Sequence, residues 1–380
     1  MDEYHPYILV VFQKNKRLKH VWVYKLFIHV FLYKEVSLKG YKILKDLVSF
    51  NTIKDLENKE IINYIEKYLK NLGFKTEHKG KYLIMSIGNN YKIGFLGHTD
   101  TVEYIDGWNT NPFELTKMDN RLYGLGSCDM KGGIAALLDA VSKIDFTKLK
   151  YGMKLYFTYD EEIGFSGIYD IVKTNEKFPD VMIFGEPTNN EMLVGSKGLL
   201  EYELSFKGIK AHSSNPAKGK SANMNAVKLL CELEEFYNEK IKKYKQDSYE
   251  VPYTTMNIGT INGGSAKNSV SANCEVSIDF RIANKDHIKI IKDEIEYLAQ
   301  KYECIVNLIE EIKPFIDSFE FIEKIKTANF MTEASFVQKS SRIILGVGPV
   351  TAHEVNEYIT EESYNKLIEQ YKDLIIKVCK

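Results

Sequence analysis

His98 and Asp100 stand two residues apart in Gly97-His98-Thr99-Asp100-Thr101, directly after the apolar run Ile93–Leu96. Residues i and i+2 of a strand point the same way, so this imidazole and carboxylate can share one face. A histidine that ligates a metal through one ring nitrogen needs its other nitrogen held, and a carboxylate is a usual holder. By itself the pair equally describes a surface hydrogen bond, so the rest of the chain has to decide.

Further acids and a second histidine occupy matching positions. Asp129 closes the glycine-rich Gly124-Leu-Gly-Ser-Cys-Asp129 and opens a helix; taken alone it reads as an N-cap. Asp160-Glu161-Glu162 follows the strand Gly152–Tyr159. Three adjacent acids repel one another unless water or a cation relieves them. Glu186 follows the apolar run Val181–Phe184, and His353 follows Arg342–Leu345 after a glycine-containing loop. Four strands therefore each deliver a His, Asp or Glu just past the carboxyl end. In open α/β sheets that edge is where sites form. Imidazole with carboxylate suits zinc, with cobalt or manganese as substitutes. Five ligands exceed one four-coordinate zinc with an open position; they suit two metals that share a bridging carboxylate.

The elements that must position these residues alternate between strands and helices. Helices are expected at Tyr41–Asn51 and Leu56–Leu72, the second with a period near 3.6 and Gly73 as its stop. Strands are expected at Lys75–His78, Tyr82–Ile87 and Lys92–Gly97, and further helices at Ile134–Ile144 and Gly167–Lys173. From Gly195 to about Leu308 the texture changes. Leu199–Phe206, Tyr253–Ile261 and Val276–Arg281 read as antiparallel strands, with helices at Ser221–Glu239 and Asp286–Tyr302. This is an α+β insert, because the strand leading to His353 comes after it. Phe319–Ala328 and Thr360–Val378 read as closing helices. The expected organisation is an N-terminal extension (1–38), a catalytic domain in two parts (39–195 and 309–380), and the insert (196–308).

Composition excludes some partners. A chain of 380 residues is long enough for two cores. Its 52 acidic and 51 basic residues nearly cancel, which argues against a nucleic-acid surface. Five scattered cysteines without a Cys-x-x-Cys fit a reducing cytoplasm and argue against a thiolate zinc site. Met1–Tyr33 holds the apolar-aromatic runs Tyr7–Phe12 and Val21–Tyr33. The longer run is 13 residues and contains Lys25 and His29, too short and too charged to span a bilayer. It reads as an appended segment unconnected with the chemistry, with a membrane-surface helix or a start codon assigned too far upstream as the alternatives, and no membrane partner is expected.

With Ala211-His212-Ser213 added, these motifs resemble the acetylornithine deacetylase and succinyl-diaminopimelate desuccinylase family. The motifs are His98-Thr-Asp100, Gly126-Ser-Cys-Asp129-Met-Lys-Gly-Gly133, Asp160-Glu-Glu162, Gly185-Glu186-Pro-Thr188 and the late His353. Aminoacylases and glutamate carboxypeptidases are among that family's relatives. The resemblance runs from about Tyr41 to the C-terminus. It implies an α/β, zinc-exopeptidase-like catalytic domain with a central mixed sheet, interrupted by a smaller α+β lid and dimerisation domain. It implies that His98 and Glu186 hold one Zn2+ and that Glu162 and His353 hold the other. Asp129 would bridge the two, Asp100 would orient His98, and Glu161 would be the general base. In a homodimer, His212 would reach the other subunit's site and stabilise an oxyanion. Arg281 would grip a substrate carboxylate and Asn268 would contact the substrate backbone. Read locally, His212 is more simply a turn histidine on the surface, and Arg281 is equally a strand-end surface arginine. Leu125 stands where many relatives carry arginine, and Ser196 where many carry glutamate; neither is an implied ligand, so these departures bear on substrate alone.

The function so implied is a di-zinc amidohydrolase that removes the acyl group from an N-acyl-L-amino acid. N-acetylornithine is the first expectation, N-succinyl-diaminopimelate the second, and a di- or tripeptide the third. The alternative of another kind is a catalytically inactive relative that acts as a binding protein. A missing ligand or base would mark it, and none is missing.

Overall fold

The structure, a computed structural model, describes residues 39–53 and 58–380. The expectations for Met1–Tyr33, and the start of a helix at Leu56, lie outside the described residues. What remains of that helix is Lys59–Asn71, preceded by Lys42–Ser49; these are α2 and α1.

The apolar runs assemble into a six-stranded mixed sheet. Its strands are β1 (Lys75–Lys79), β2 (Leu83–Ile87), β3 (Ile93–His98), β6 (Met153–Thr158), β7 (Val181–Phe184) and β14 (Ser341–Ile344), in the order β1-β2-β6-β3-β7-β14. β3 runs parallel to β6 and β7, and β7 parallel to β14, while β2 is antiparallel to β6 and β1 to β2. Every residue of β3 is buried, as expected of a strand with both faces covered. Alternate side chains feed two cores. Ile93 and Phe95 join Met153, Leu155 and Phe157 on one face, while Leu96 joins Tyr156, Met182 and Phe184 on the other. The first core is closed by α1, α2, α3 (Lys131–Ser142) and α7 (Glu361–Cys379), and the second by α4 (Ser166–Lys173). α3 lies close to the sheet edge: a Cβ on Gly133 would come within 2.4 Å of the Gly185 carbonyl oxygen.

The insert has a core of its own. β9 (Gly198–Lys207), β10 (Thr255–Gly263), β11 (Asn273–Ile282) and β12 (Cys304–Ile312) pair antiparallel in the order β10-β11-β9-β12. Leu200, Tyr202, Leu204 and Phe206 of β9 face α5 (Ala222–Phe236) and α6 (Asp286–Tyr302). An α/β catalytic unit with a mixed sheet, interrupted by a smaller α+β unit, is the fold class the sequence predicts. Two shorter sheets complete it: β4 (Thr116–Met118), β5 (Arg121–Tyr123) and β15 (Tyr358–Thr360), and the pair β8 (Gly195–Ser196) with β13 (Phe315–Ile316).

Two sequence expectations need correction. β12 continues through Ile312, paired with Leu199, so the sheet extends beyond Leu308. The adjacent Glu310 and Glu311, after a register shift between Leu308 and Glu310, hide that extension from an apolar pattern. Phe319–Ala328 is not a helix. Its backbone turns outward to the neighbouring strand instead: Val194 N–H donates to Lys326 O at 2.9 Å and Ala328 N–H to Gly195 O at 2.8 Å. Phe319, Phe321 and Ile322 still pack on the main core, which explains the helix-like spacing.

Candidate metal centre

Four loops at the carboxyl ends of the parallel strands, with the segment that opens α3 and carries Asp129, bring the predicted residues together. β3 ends on His98, whose ring is 1% exposed. Its Nε2 lies 3.2 Å from Asp129 Oδ1 and 3.9 Å from Glu186 Oε2. On the other side of the ring, Nδ1 lies 3.1 Å from the Asp100 carbonyl oxygen and 3.4 Å from Asp100 Oδ1. Asp100 is thus on the far side of the imidazole from Asp129, as a partner that fixes the tautomer should be. The Asp100 carboxylate also accepts the N–H groups of Glu161 (3.3 Å) and Glu162 (3.0 Å), so it ties the end of β3 to the turn after β6. Asp160 does something different: its carboxylate accepts the Gly167 N–H at 2.9 Å at the start of α4.

His353 completes the cluster from the loop after β14. Its Nε2 lies 3.2 Å from Glu162 Oε1 and 3.5 Å from Asp129 Oδ2. Donor atoms of His98, Asp129 and Glu186 fall within 4.8 Å of one another, and so do those of Asp129, Glu162 and His353. The two triads share Asp129, which offers a different oxygen to each histidine. A third grouping, His98, Glu161 and Glu162, sets Glu161 beside both triads.

The electrostatics fit cations. Burial drives Glu161 up to about 8, with Asp129 and Glu162 adding to the rise against His98. Glu186 is raised well above the ordinary range, again chiefly by burial. Burial alone would lower His98, but Asp100 and Asp129 outweigh it and raise it well above its usual value. Asp129 and Glu162 raise His353 to about 10. In the protein alone Glu161 and Glu186 thus lean toward their protonated forms and the histidines toward their charged ones, which offsets the acidic charge. Divalent cations at the two triads would supply that offset instead, and the imidazole and carboxylate donor set suits them.

The remaining predicted residues lie in the insert. His212 is exposed, with Nδ1 2.7 Å from Ser214 Oγ, and its backbone bridges Ser269. Asn268 O accepts the Ser213 N–H at 3.0 Å. Arg281, on β11, pairs with Asp279 on its own strand at 3.1 Å. Among the described contacts, none joins these three to the cluster. A cavity of about 660 Å³ opens beside the His212 and Asn268 loops, lined by Ser213, Ser221, Asn223 and Lys267 among others and by no member of the cluster.

Three buried ionisable residues near the cluster escape the sequence reading. Glu357 is held to about 7, raised by burial against the pull of three backbone N–H groups. Lys131 is lowered to about 7 by burial and donates to Phe50 O at 2.8 Å. Glu333 accepts from Thr158 Oγ1 at 3.0 Å and is raised well above the ordinary range by burial and then by Glu161. Lys131 follows Asp129 within its motif and Glu357 follows His353 by a few residues; that adjacency is the one signal the sequence offers.

Histidines and carboxylates that converge at the carboxyl ends of the parallel strands of a mixed sheet are the arrangement expected of a metal-dependent hydrolase. Residues 94–377 match the sequence model of Peptidase family M20/M25/M40, and the chain belongs to this family. The acetylornithine deacetylase of Pasteurella multocida is 31% identical over 365 residues, which cover 86% of this chain and 92% of that one. The acetylornithine deacetylase of Photorhabdus laumondii is 33% identical over 338 residues, covering 80% and 86%. In fold, the chain resembles the M20 family metallo-carboxypeptidase Sso-CP2 of Sulfolobus solfataricus, with a TM-score of 0.73 at 20% identity over 90% of this chain and 99% of that one. The chain is a metal-dependent amidohydrolase. Among the described residues, no helix is long and apolar enough to cross a membrane.

Proposed function

We propose that this chain is a cytoplasmic, homodimeric di-zinc deacylase of N-acyl-L-amino acids, with N-acetylornithine as its substrate. The observation that carries the reading is the pair of donor triads sharing Asp129, with Glu161 beside both. The acetyl group and the ornithine are supported by the names of relatives about one-third identical along most of the chain.

His98 and Glu186 would hold one ion, Glu162 and His353 the other, and Asp129 would bridge them. Bound there, the ions would supply Lewis acidity, making water more acidic and an amide carbonyl more electrophilic. Asp100 keeps His98 in the tautomer whose Nε2 faces Asp129 and Glu186. Glu161 takes a proton from the attacking water and returns it to the departing amine, a role typically worth ~10²–10⁴-fold in rate. His212 makes no contact with its own cluster, which supports a role across the dimer, where it would stabilise the oxyanion. β10 supports the dimer, because it is an edge strand whose residues from Gly259 to Gly263 are all exposed. Arg281 and Asn268 would read the substrate's carboxylate and backbone.

Zinc-loaded protein assayed against N-acetylornithine, N-succinyl-diaminopimelate and a dipeptide panel tests the substrate. Turnover of N-acetylornithine well above the others is expected. Inactivity on both acyl-amino acids would overturn the deacylase reading, and activity on dipeptides alone would make the chain a peptidase.

A further inference from the structure

The loop that carries Asp129 directs its backbone amides at one buried carboxylate. Glu357 is 2% exposed. Its Oε1 accepts the N–H groups of Cys128 at 2.7 Å and Asp129 at 2.9 Å, and its Oε2 accepts that of Gly126 at 2.8 Å. Its own carbonyl accepts the Gly124 N–H at 3.1 Å. A second set of ties runs beside the first. Cys128 Sγ donates to Pro349 O and accepts the Thr351 N–H, both at 3.4 Å. Thr351 Oγ1 donates to Tyr358 O at 2.7 Å and accepts the Tyr358 N–H at 3.0 Å. The segment from Gly124 to Asp129 and the segment from Pro349 to Tyr358, which carries His353, are therefore one hydrogen-bonded unit. Glu357 itself gives no oxygen to either donor triad.

We infer that Glu357 is a positioning residue: by clamping the Asp129 loop to the His353 loop, it sets the spacing of Asp129 and His353 and so the affinity of the position they form with Glu162. The inference rests on the two-ion reading of the cluster. Its physical basis is that the carboxylate in its ionised form, which only accepts, matches three N–H donors. Glutamine of the same shape cannot match them. With its oxygen at the Oε1 place it keeps Cys128 and Asp129 but turns an NH₂ toward the Gly126 N–H; reversed, it loses two bonds. The Asp129 loop must then shift relative to His353. Outer partners of metal ligands typically contribute about 10–100-fold in affinity.

The test is a Co2+ titration of metal-free wild type and Glu357→Gln, followed by calorimetry and visible absorption, with far-UV circular dichroism as the folding control. Wild type is expected to take up two ions. Glu357→Gln is expected to bind one of them about 10–100-fold more weakly, with an altered absorption band for that ion. Glu357→Asp keeps both acceptors on a shorter stem. It is expected to lose less than Glu357→Gln, and it carries the test if the glutamine variant fails to fold. Two ions bound with wild-type affinity and spectrum by a folded variant would overturn the inference. Fewer than two ions on wild type would overturn the two-ion reading and this inference with it.

Discussion

Asp100→Asn isolates the bond that ties the first ligand to the base. Asp100 Oδ2 accepts the Glu162 N–H at 3.0 Å, and Oδ1 serves both the Glu161 N–H at 3.3 Å and His98 Nδ1 at 3.4 Å. Asparagine has one acceptor. Its best placement puts oxygen at the Oδ1 position, which leaves NH₂ facing the Glu162 N–H. The variant then loses its shortest hydrogen bond to a charged acceptor, worth about 1.5–3 kcal/mol. At ~1.4 kcal/mol per factor of ten, this is roughly 10–150-fold. The imidazole is not released, because the Asp100 carbonyl still holds Nδ1 at 3.1 Å. The loss therefore falls on the Glu161–Glu162 turn rather than on His98. We expect kcat/KM on the best acyl-amino acid to drop about 10–100-fold, with weaker binding of the ion held by Glu162. Steady-state kinetics and metal titration of the same preparation measure both. A variant within twofold of wild type in both would refute the claim that Asp100 organises the centre.

Chelated protein should lose stability as pH rises from about 5 to 7, the range below that in which buried Lys131 begins to act in the opposite sense. Folded Glu357 (about 7) and Glu161 (about 8) keep protons that the unfolded chain releases above ~4.5, and His353 (about 10) keeps one released above ~6.5. The folded state therefore binds more protons throughout that window, so unfolding free energy falls with pH; denaturant titrations with and without metal check the slope, which metal should flatten. Gly133→Ala should destabilise by about 1–3 kcal/mol and weaken metal binding, since its Cβ would press on the Gly185 carbonyl beside Glu186; urea unfolding reads the first effect, and an unchanged midpoint would refute the close approach. Glu161→Gln should retain two metals and lose turnover. If the proposed homodimer forms and His212 acts across it, mixing with His212→Ala should recover up to about a quarter of wild-type activity, since half the dimers would be hybrids with one intact site each. No recovery in demonstrated heterodimers would place His212 outside the partner's site.

The cluster was legible because chemistry-bearing residues directly follow apolar runs, and a parallel sheet collects strand ends at one edge. His98 and Glu186 needed no more than that rule, while His353 stands off its strand by a glycine-containing loop. Asp129 was harder, since an acid opening a helix is an ordinary cap; its place between two histidines was implied by the family resemblance and not by the local pattern. Glu357 was out of reach of pattern reading. Its partners lie 228 to 231 residues away, and nothing local separates it from Glu354 or Glu361. Phe319–Ala328 misled for a related reason: aromatic spacing reports which side chains are buried, not where the backbone hydrogen bonds go.

The order of the strands has a consequence for synthesis. His98, Asp129, Glu162 and Glu186 are all made before the insert, but β14 and His353 come after it. As the chain leaves the ribosome, the insert can fold on its own core while the sheet still lacks its last strand. During that interval only the donors from His98 to Glu186 exist, and the Glu162 carboxylate has no histidine beside it. Under the two-ion proposal, capture of the second ion would wait until β14 has docked against β7. Metal loading is then a report that translation and sheet closure are finished, so a truncated or stalled chain should carry fewer ions than the completed one.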